Sequence, residues 1–354
     1  MNDKRVLRVV ALVFVGLAFA GLALTGCKNT EQVSNYARYN LVADTAGFTG
    51  ARIDARLLNA WGIAIDADGK FLIGSNHGGN ALWYDGSGAD AGTPVTIPAA
   101  DTTAMGAPSG EVRNTTSDFV VPGGSEAAKM IFVTEDGLVL AWASGAAAVK
   151  VADRSTTGAV YKGVAIAEDG SSNFIYAANF NAKTVDVFDH NFTYVTTKPF
   201  SDPNMPSNYG PFDIQNIGGK LYVTYAVPKS PDFVDDSAGA GNGYVDIYEP
   251  SGELNKRFIS QGHLNSPWGL AKARAEFGEF KNTILVGNFG DGLINAYDDD
   301  GTWLGQLKDI NKDPVHIDGL WGIAFKPSSD PDLLYFTAGP SHENHGLFGY
   351  LKME

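Results

Sequence analysis

WGIAIDADGKFLIGSNHGGNALWYDGSGADAGTPVTIP, residues 61–98, holds four short apolar segments separated by turn-forming residues. WGIAI (61–65) is followed by the tight turn DADG (66–69), and FLIGSN (71–76) is apolar without alternation. ALWYD (81–85) alternates and ends on an aromatic residue, and PVTIP (94–98) carries β-branched residues between prolines. None is long enough for a helix, so the stretch predicts four consecutive β-strands, with the second buried on both faces.

The same rhythm recurs along the chain. Counterparts of FLIGSN are MIFVTE (130–135), FIYAAN (174–179), LYVTYA (221–226), ILVGNF (284–289) and LLYFTA (333–338). The strand after each ends on an aromatic residue, namely Tyr84, Trp142, Phe188, Tyr248, Tyr297 and Tyr350, spaced by about 53 residues on average. Ahead of each buried strand stands another short segment: WGIAI, GEVRN (110–114), GVAIA (163–167), PFDIQ (211–215), WGLAK (268–272) and WGIAF (321–325). Fourth strands follow at AVKVAD (148–153), YVTTKPF (194–200), NKRFIS (255–260) and WLGQLK (303–308). Six repeats of four strands predict an all-β, six-bladed β-propeller, in which radial stacking covers both faces of every blade. The sixth repeat ends without a fourth strand, whereas YARYNLVAD (36–44) precedes the first repeat as an orphan. The expectation is that this N-terminal strand closes the sixth blade and removes an exposed edge.

Composition agrees with a large packed core: 44% of the 354 residues are hydrophobic and 19% are charged. A net charge of −14 argues against nucleic acid as a partner, because phosphate backbones would be repelled. Residues 1–26 read as a lipoprotein signal peptide. Lys4, Arg5 and Arg8 form a basic start, Val9 to Leu24 an apolar run, and Leu24-Thr25-Gly26-Cys27 resembles a bacterial lipobox. Cys27, the only cysteine, is the expected lipidation site, residues 27–35 form a lipidated tether, and residues 36–354 form the propeller. The expected location is therefore the cell envelope, anchored to a membrane through the N-terminal lipid. Lys28, rather than an aspartate, follows the cysteine, which favours the outer membrane of a two-membrane bacterium.

SNHGGNALWYD, ANFNAKTVDVFD and GNFGDGLINAYD resemble NHL-type propeller repeats. NLVADTAGF (40–48), LLNAWGIA (57–64), FVTEDG (132–137), NSPWGLA (265–271), DGLWGIAF (318–325) and LLYFTAGPSHENHGLFGYL (333–351) resemble an uncharacterised family of exported bacterial propellers. Some members of that family carry PEP-CTERM sorting tails. The resemblance implies a fold and an export route, and no reaction.

In a propeller the starts of the innermost strands and the turns after the second strands share one face around the axis. That topology makes a candidate funnel from Asn59, Trp61, Asp213, Asn265, Trp268, Asp318 and Trp321, together with Asn76, His77, Glu135, Asp136, Asn179, Asn181, Asn288 and Asp291 and the cluster His342, Glu343 and His345. Asn at the recurring turn position also suits a structural turn, and the tryptophans also suit packing between blades. His342, Glu343 and His345 are the densest set of potential Zn²⁺ ligands, and the oxygen-rich funnel suits Ca²⁺. The long loop 230–243 is expected to serve as a lid over the funnel or as an acidic Ca²⁺ clasp. The leading expectation is a binding module for a small molecule or an envelope protein. The alternative is a metal-dependent (Ca or Zn) hydrolase or lactonase working in the funnel.

Overall fold

The computed structural model describes residues 34–327 and 333–354. The signal peptide, Cys27 and nearly all of the tether lie outside the described residues.

The chain begins with β1 (Tyr36–Ala43) and β2 (Arg52–Ile53) and then forms blades in sequence order. Blade one is β3 (Ala60–Ile65), β4 (Phe71–Ser75), β5 (Asn80–Tyr84) and β6 (Val95–Thr96). Blade two is β7 (Pro108–Arg113), β8 (Met130–Thr134), β9 (Leu138–Trp142) and β10 (Val149–Asp153). Blade three is β11 (Tyr161–Asp169), β12 (Ser172–Asn179), β13 (Thr184–Phe188) and β14 (Tyr194–Val195). Blade four is β15 (Gly210–Ile217), β16 (Lys220–Ala226), β17 (Tyr244–Tyr248) and β18 (Leu254–Ser260). Blade five is β19 (Pro267–Lys272), β20 (Ile284–Asn288), β21 (Ile294–Tyr297) and β22 (Trp303–Gln306). Blade six takes β23 (Leu320–Phe325), β24 (Leu333–Ala338) and β25 (Leu347–Met353) from the C-terminus and β1 from the N-terminus.

β1 pairs antiparallel with β25 from Tyr36↔Met353 to Ala43↔Leu347, so the two ends of the chain lock one blade, as the orphan segment implied. β2 then adds to β1 in parallel, through Val42↔Arg52 and Ala43↔Ile53. This fifth strand was not expected from sequence, since two residues carry no periodicity. β4, β8 and β20 are buried along their whole length, because a neighbouring blade packs on each face. The clusters in the core accordingly mix adjacent blades, as where Leu72 and Trp83 of blade one pack with Phe132 and Leu140 of blade two.

Each innermost strand shifts register one or two residues after it starts. The shifts fall between Ala60 and Ile63, Pro108 and Gly110, Tyr161 and Val164, Pro211 and Asp213, Pro267 and Leu270, and Leu320 and Ile323. A bulge re-aims the extra residue away from the regular pleat. The six residues so placed are Trp61, Ser109, Lys162, Phe212, Trp268 and Trp321. The next position is glycine in five blades, where the strands converge most tightly: a Cβ on Gly110 would lie 2.8 Å from the Cα of Gly163.

Candidate functional site: a plugged axis between two polar spaces

Three of the bulged residues, Trp61, Trp268 and Trp321, pack with Phe180, Phe212 and Phe289 into one apolar cluster. Trp61 and Trp321 stack with centroids 3.7 Å apart, and Phe289 stacks on Trp321 at 3.8 Å. Trp268 meets both tryptophans edge-on, at 6.4 and 5.9 Å. The three indoles are at most 3% exposed, so they plug the axis rather than offer an open stacking platform.

At the strand-start end, polar groups gather over this plug. Asn59, held in the left-handed region at φ 46°, accepts a hydrogen bond from Trp321 Nε1 at 2.9 Å and donates to Glu343 at 2.7 Å. Asn76 donates to Glu135 at 2.9 Å and to the Pro108 carbonyl at 3.2 Å. Lys162, only 2% exposed, pairs with Glu135 and lies 4.7 Å from the centre of the Trp61 ring. Burial pushes the Glu343 carboxyl up to about 7; Lys162 opposes the shift, while Glu135 and Asp235 add to it. Asp236 is also held above the usual carboxylate range, chiefly by burial, although Ser266 and Lys162 oppose the shift. Asp235 and Asp236 belong to the loop 230–243, so that loop does reach the mouth. Lys162 thus pairs with Glu135 and acts on Glu343 and Asp236, while the exposed Asp235 acts on those two acids.

The remaining expected funnel residues serve as scaffolding. Asn179 accepts from the Val160 and Ala182 backbone and donates to Asp186, which fixes its turn. Asn265 accepts from Gly239 at 2.7 Å, and Asn288 donates to the His263 carbonyl at 2.9 Å. Asp318 is exposed and caps Ser341 at 2.8 Å. His77 is exposed on a single 3₁₀ turn. His342, Glu343 and His345 do not converge on one point. Glu343 turns to Asn59, His345 bonds Asp44 at 2.8 Å, and His342 is exposed. Their backbone explains the divergence: Ser341, His342 and Glu343 all have positive φ, which splays successive side chains apart. Among the described residues no group of three His, Cys, Asp or Glu side chains is arranged to hold a metal ion.

Asp213 requires a correction of place. The bulge in β15 puts Phe212 in the plug and Asp213 one step deeper, at the position occupied by glycine in the other blades. It lines a chamber of about 370 Å³ beyond the plug, together with Glu111, Gln215, Trp268, Lys272 and Arg274. Glu111 accepts from the Gly74 backbone at 3.0 Å through Oε1, and its Oε2 has no partner. Asp213 accepts from Gln215 at 3.3 Å through Oδ2, and its Oδ1 has none. Burial raises both carboxyls, Glu111 to about 8 and Asp213 well above its ordinary range. A further cleft of about 580 Å³, between blades one and two, is lined by Trp83, Trp142 and Lys129 and contains no buried acid.

Sequence reasoning missed Lys162 and Glu111. The signal lay in a strict alignment of the six innermost strands. There Lys162 stands where Trp61, Trp268 and Trp321 stand, and Glu111 replaces the aliphatic residue that follows the glycine.

No known family profile matches the chain. It is 32% identical over 329 residues to the uncharacterised protein L690 of Acanthamoeba polyphaga mimivirus, which covers 89% of this chain and 85% of the relative. It is 34% identical over 313 residues to the uncharacterised protein R648 of the same virus, covering 84% and 76%. Among solved structures, a protein of unknown function from Bacteroides thetaiotaomicron aligns with a TM-score of 0.58 at 12% identity, over 90% of this chain and 76% of that one. Virginiamycin B lyase from Staphylococcus aureus aligns with a TM-score of 0.52 at 12% identity, over 90% and 99%. At such identity these likenesses establish the fold alone. The sequence relatives are viral, so the bacterial and PEP-CTERM affiliation expected from the motifs gains no support. The chain belongs to the protein family that includes the mimivirus proteins L690 and R648.

Proposed function

We propose that the protein is an exported propeller, lipid-anchored through Cys27, whose polar mouth binds a small ligand bearing an amine or several hydroxyl groups. The observation that carries the ligand reading is the gathering of Glu135, Asp236 and Glu343 near Lys162, with Asp235 adding its charge to the two raised acids. A ligand that donates hydrogen bonds or positive charge would relieve the unfavourable burial of Glu343 and Asp236. The plug supports binding over passage, because stacked indoles leave no route along the axis. The leader supports export: a basic start, an apolar run and a lipobox-like Leu24–Cys27 follow one another without interruption.

Calorimetric titration of the intact protein with glucosamine, galactose and spermidine tests the mouth. Saturable binding by one of them, weakened about tenfold or more in Asn59→Ala and Glu343→Gln, is expected. Binding that these variants leave unchanged, or capture of an envelope protein without small-molecule binding, would overturn it. Cys27→Ser should abolish acyl labelling and release the protein from membranes, and retained labelling would sink the anchoring.

A catalytic reading has one specific observation in its favour. A carboxyl pushed up to about 7 beside a lysine is suited to proton transfer near neutral pH. Glu343 would then act as general acid–base in a hydrolase or lyase, and virginiamycin B lyase has the same fold. Turnover of lactone or ester substrates that disappears in Glu343→Gln, with folding intact, would favour this reading over simple binding.

A further inference from the structure

Beyond the plug, Glu111 and Asp213 are buried polar side chains, 7% and 0% exposed. Each commits one oxygen to a partner within the fold and leaves the other without one. Buried polar atoms are almost always satisfied, so two orphans lining one chamber call for a missing partner. No cation answers either carboxyl. The groups that oppose the rise of Glu111 are the backbone N–H groups of Gly74 and Ala64, and those at Asp213 are the Ile214 backbone and Gln215. Burial without a counter-ion favours the protonated form of both side chains, and the oxygen that accepts nothing is the one placed to carry the proton. The chamber thus presents two unused O–H donors.

Its rim adds positive charge. Arg274 makes no ion pair among the described residues, and Lys272 shares its charge with Asp299 at 2.5 Å. Donors inside and a guanidinium at the edge form a set complementary to an oxyanion. We propose that the chamber is a second ligand site, separate from the mouth, which takes a small organic carboxylate. Its carboxylate meets Arg274, which can bind it through two parallel N–H groups, and its acceptor oxygens take the hydrogens of Glu111 and Asp213. The volume of about 370 Å³ limits the ligand to a small molecule of this class. Trp268 lines the same chamber, so the indole plug separates this ligand from whatever occupies the mouth.

Titration of the intact protein with acetate, glycolate and succinate, followed by calorimetry and thermal shift, tests the site. At least one carboxylate should bind saturably and raise the melting temperature. Arg274→Ala, a change at the rim, should weaken that binding about tenfold or more. Glu111→Gln keeps an N–H donor and should retain binding, whereas Glu111→Leu should lose it. Glu343→Gln, at the mouth, should leave carboxylate binding unchanged, so failure of the chamber and failure of the mouth are read separately. Absence of carboxylate binding, binding indifferent to Arg274→Ala, or saturable Ca²⁺ binding in place of carboxylate binding would each overturn the assignment.

Discussion

Trp61 and Trp321 lie face to face on the propeller axis, their ring centroids 3.7 Å apart and their planes 15° from parallel. They come from blade one and blade six, so this stack joins the first blade of the chain to the last. Thr337 of β24 reinforces the join: its hydroxyl donates to the Trp61 carbonyl and accepts from the Gly322 N–H at 2.9 Å. Ring closure thus has an inner fastening at the axis and an outer one where β1 pairs with β25.

Removal of the inner fastening should be costly. Trp321→Ala removes the stacks on Trp61 and Phe289 and the hydrogen bond to Asn59, and leaves a void in a rigid cluster. A loss of about 3–5 kcal/mol is expected, with a smaller loss for Trp321→Phe. Chemical denaturation measures it; an unshifted midpoint in Trp321→Ala would show that the plug does not hold the ring closed.

The outer fastening makes a comparable demand. β1 buries Tyr36, Val42 and Ala43 and covers the edge of β25. Deleting residues 36–43 should lower stability by at least about 3 kcal/mol, the scale of losing two large buried side chains, and should expose an edge prone to association. Thermal melting and light scattering check both effects. A deletion that melts at the wild-type temperature as a monomer would contradict the closure.

Lys162 is almost wholly buried and relies on Glu135. Glu135→Ala removes the one direct ion pair Lys162 makes among the described residues and should destabilise the protein by about 3 kcal/mol. The double change Glu135→Leu with Lys162→Met should recover much of this, because no charge is then left behind. Equal losses in the single and the double variant, measured by urea denaturation, would mean that the pair matters through packing alone.

Glu111 makes stability depend on pH. Its carboxyl has an ordinary value of 4.5, and in the folded protein it is raised to about 8. The folded state therefore binds the proton more tightly. The contribution is fully present below about pH 4.5, declines as pH rises, and is lost by about pH 8. Asp213 acts in the same direction. Glu111→Gln should remove part of the decline and raise stability at pH 8 by an amount on the order of a few kcal/mol. Melting curves from pH 5 to 8 test this; a slope identical to that of the wild type would refute it.

Much of the architecture was legible in order along the chain. A two-sided burial pattern recurring six times identified the blades, since a strand covered on both faces cannot alternate. The orphan segment 36–44 identified the closing strand, since one blade lacked an edge. Parts of the candidate site were legible too: Asn59, Asn76 and Glu343 were recognised as polar residues at strand starts and turns, and the structure brings them to one mouth. Metal ligation by His342, Glu343 and His345 was inferred from proximity in sequence, which positive φ at three successive residues undoes.

The number of blades and the order of strands within them can be read along the chain, because they follow from local periodicity, and ring closure can be read from the orphan segment 36–44 and the strand missing from the sixth repeat. What meets on the axis is set by the assembled ring. Six bulges, each a shift of one residue, choose which side chain of every inner strand turns inward. They send Trp61, Trp268 and Trp321 into a plug, raise Lys162 into the mouth and sink Asp213 into the chamber with Glu111. Register at this scale depends on the space left where six strands converge, and that space exists only once the ring has formed.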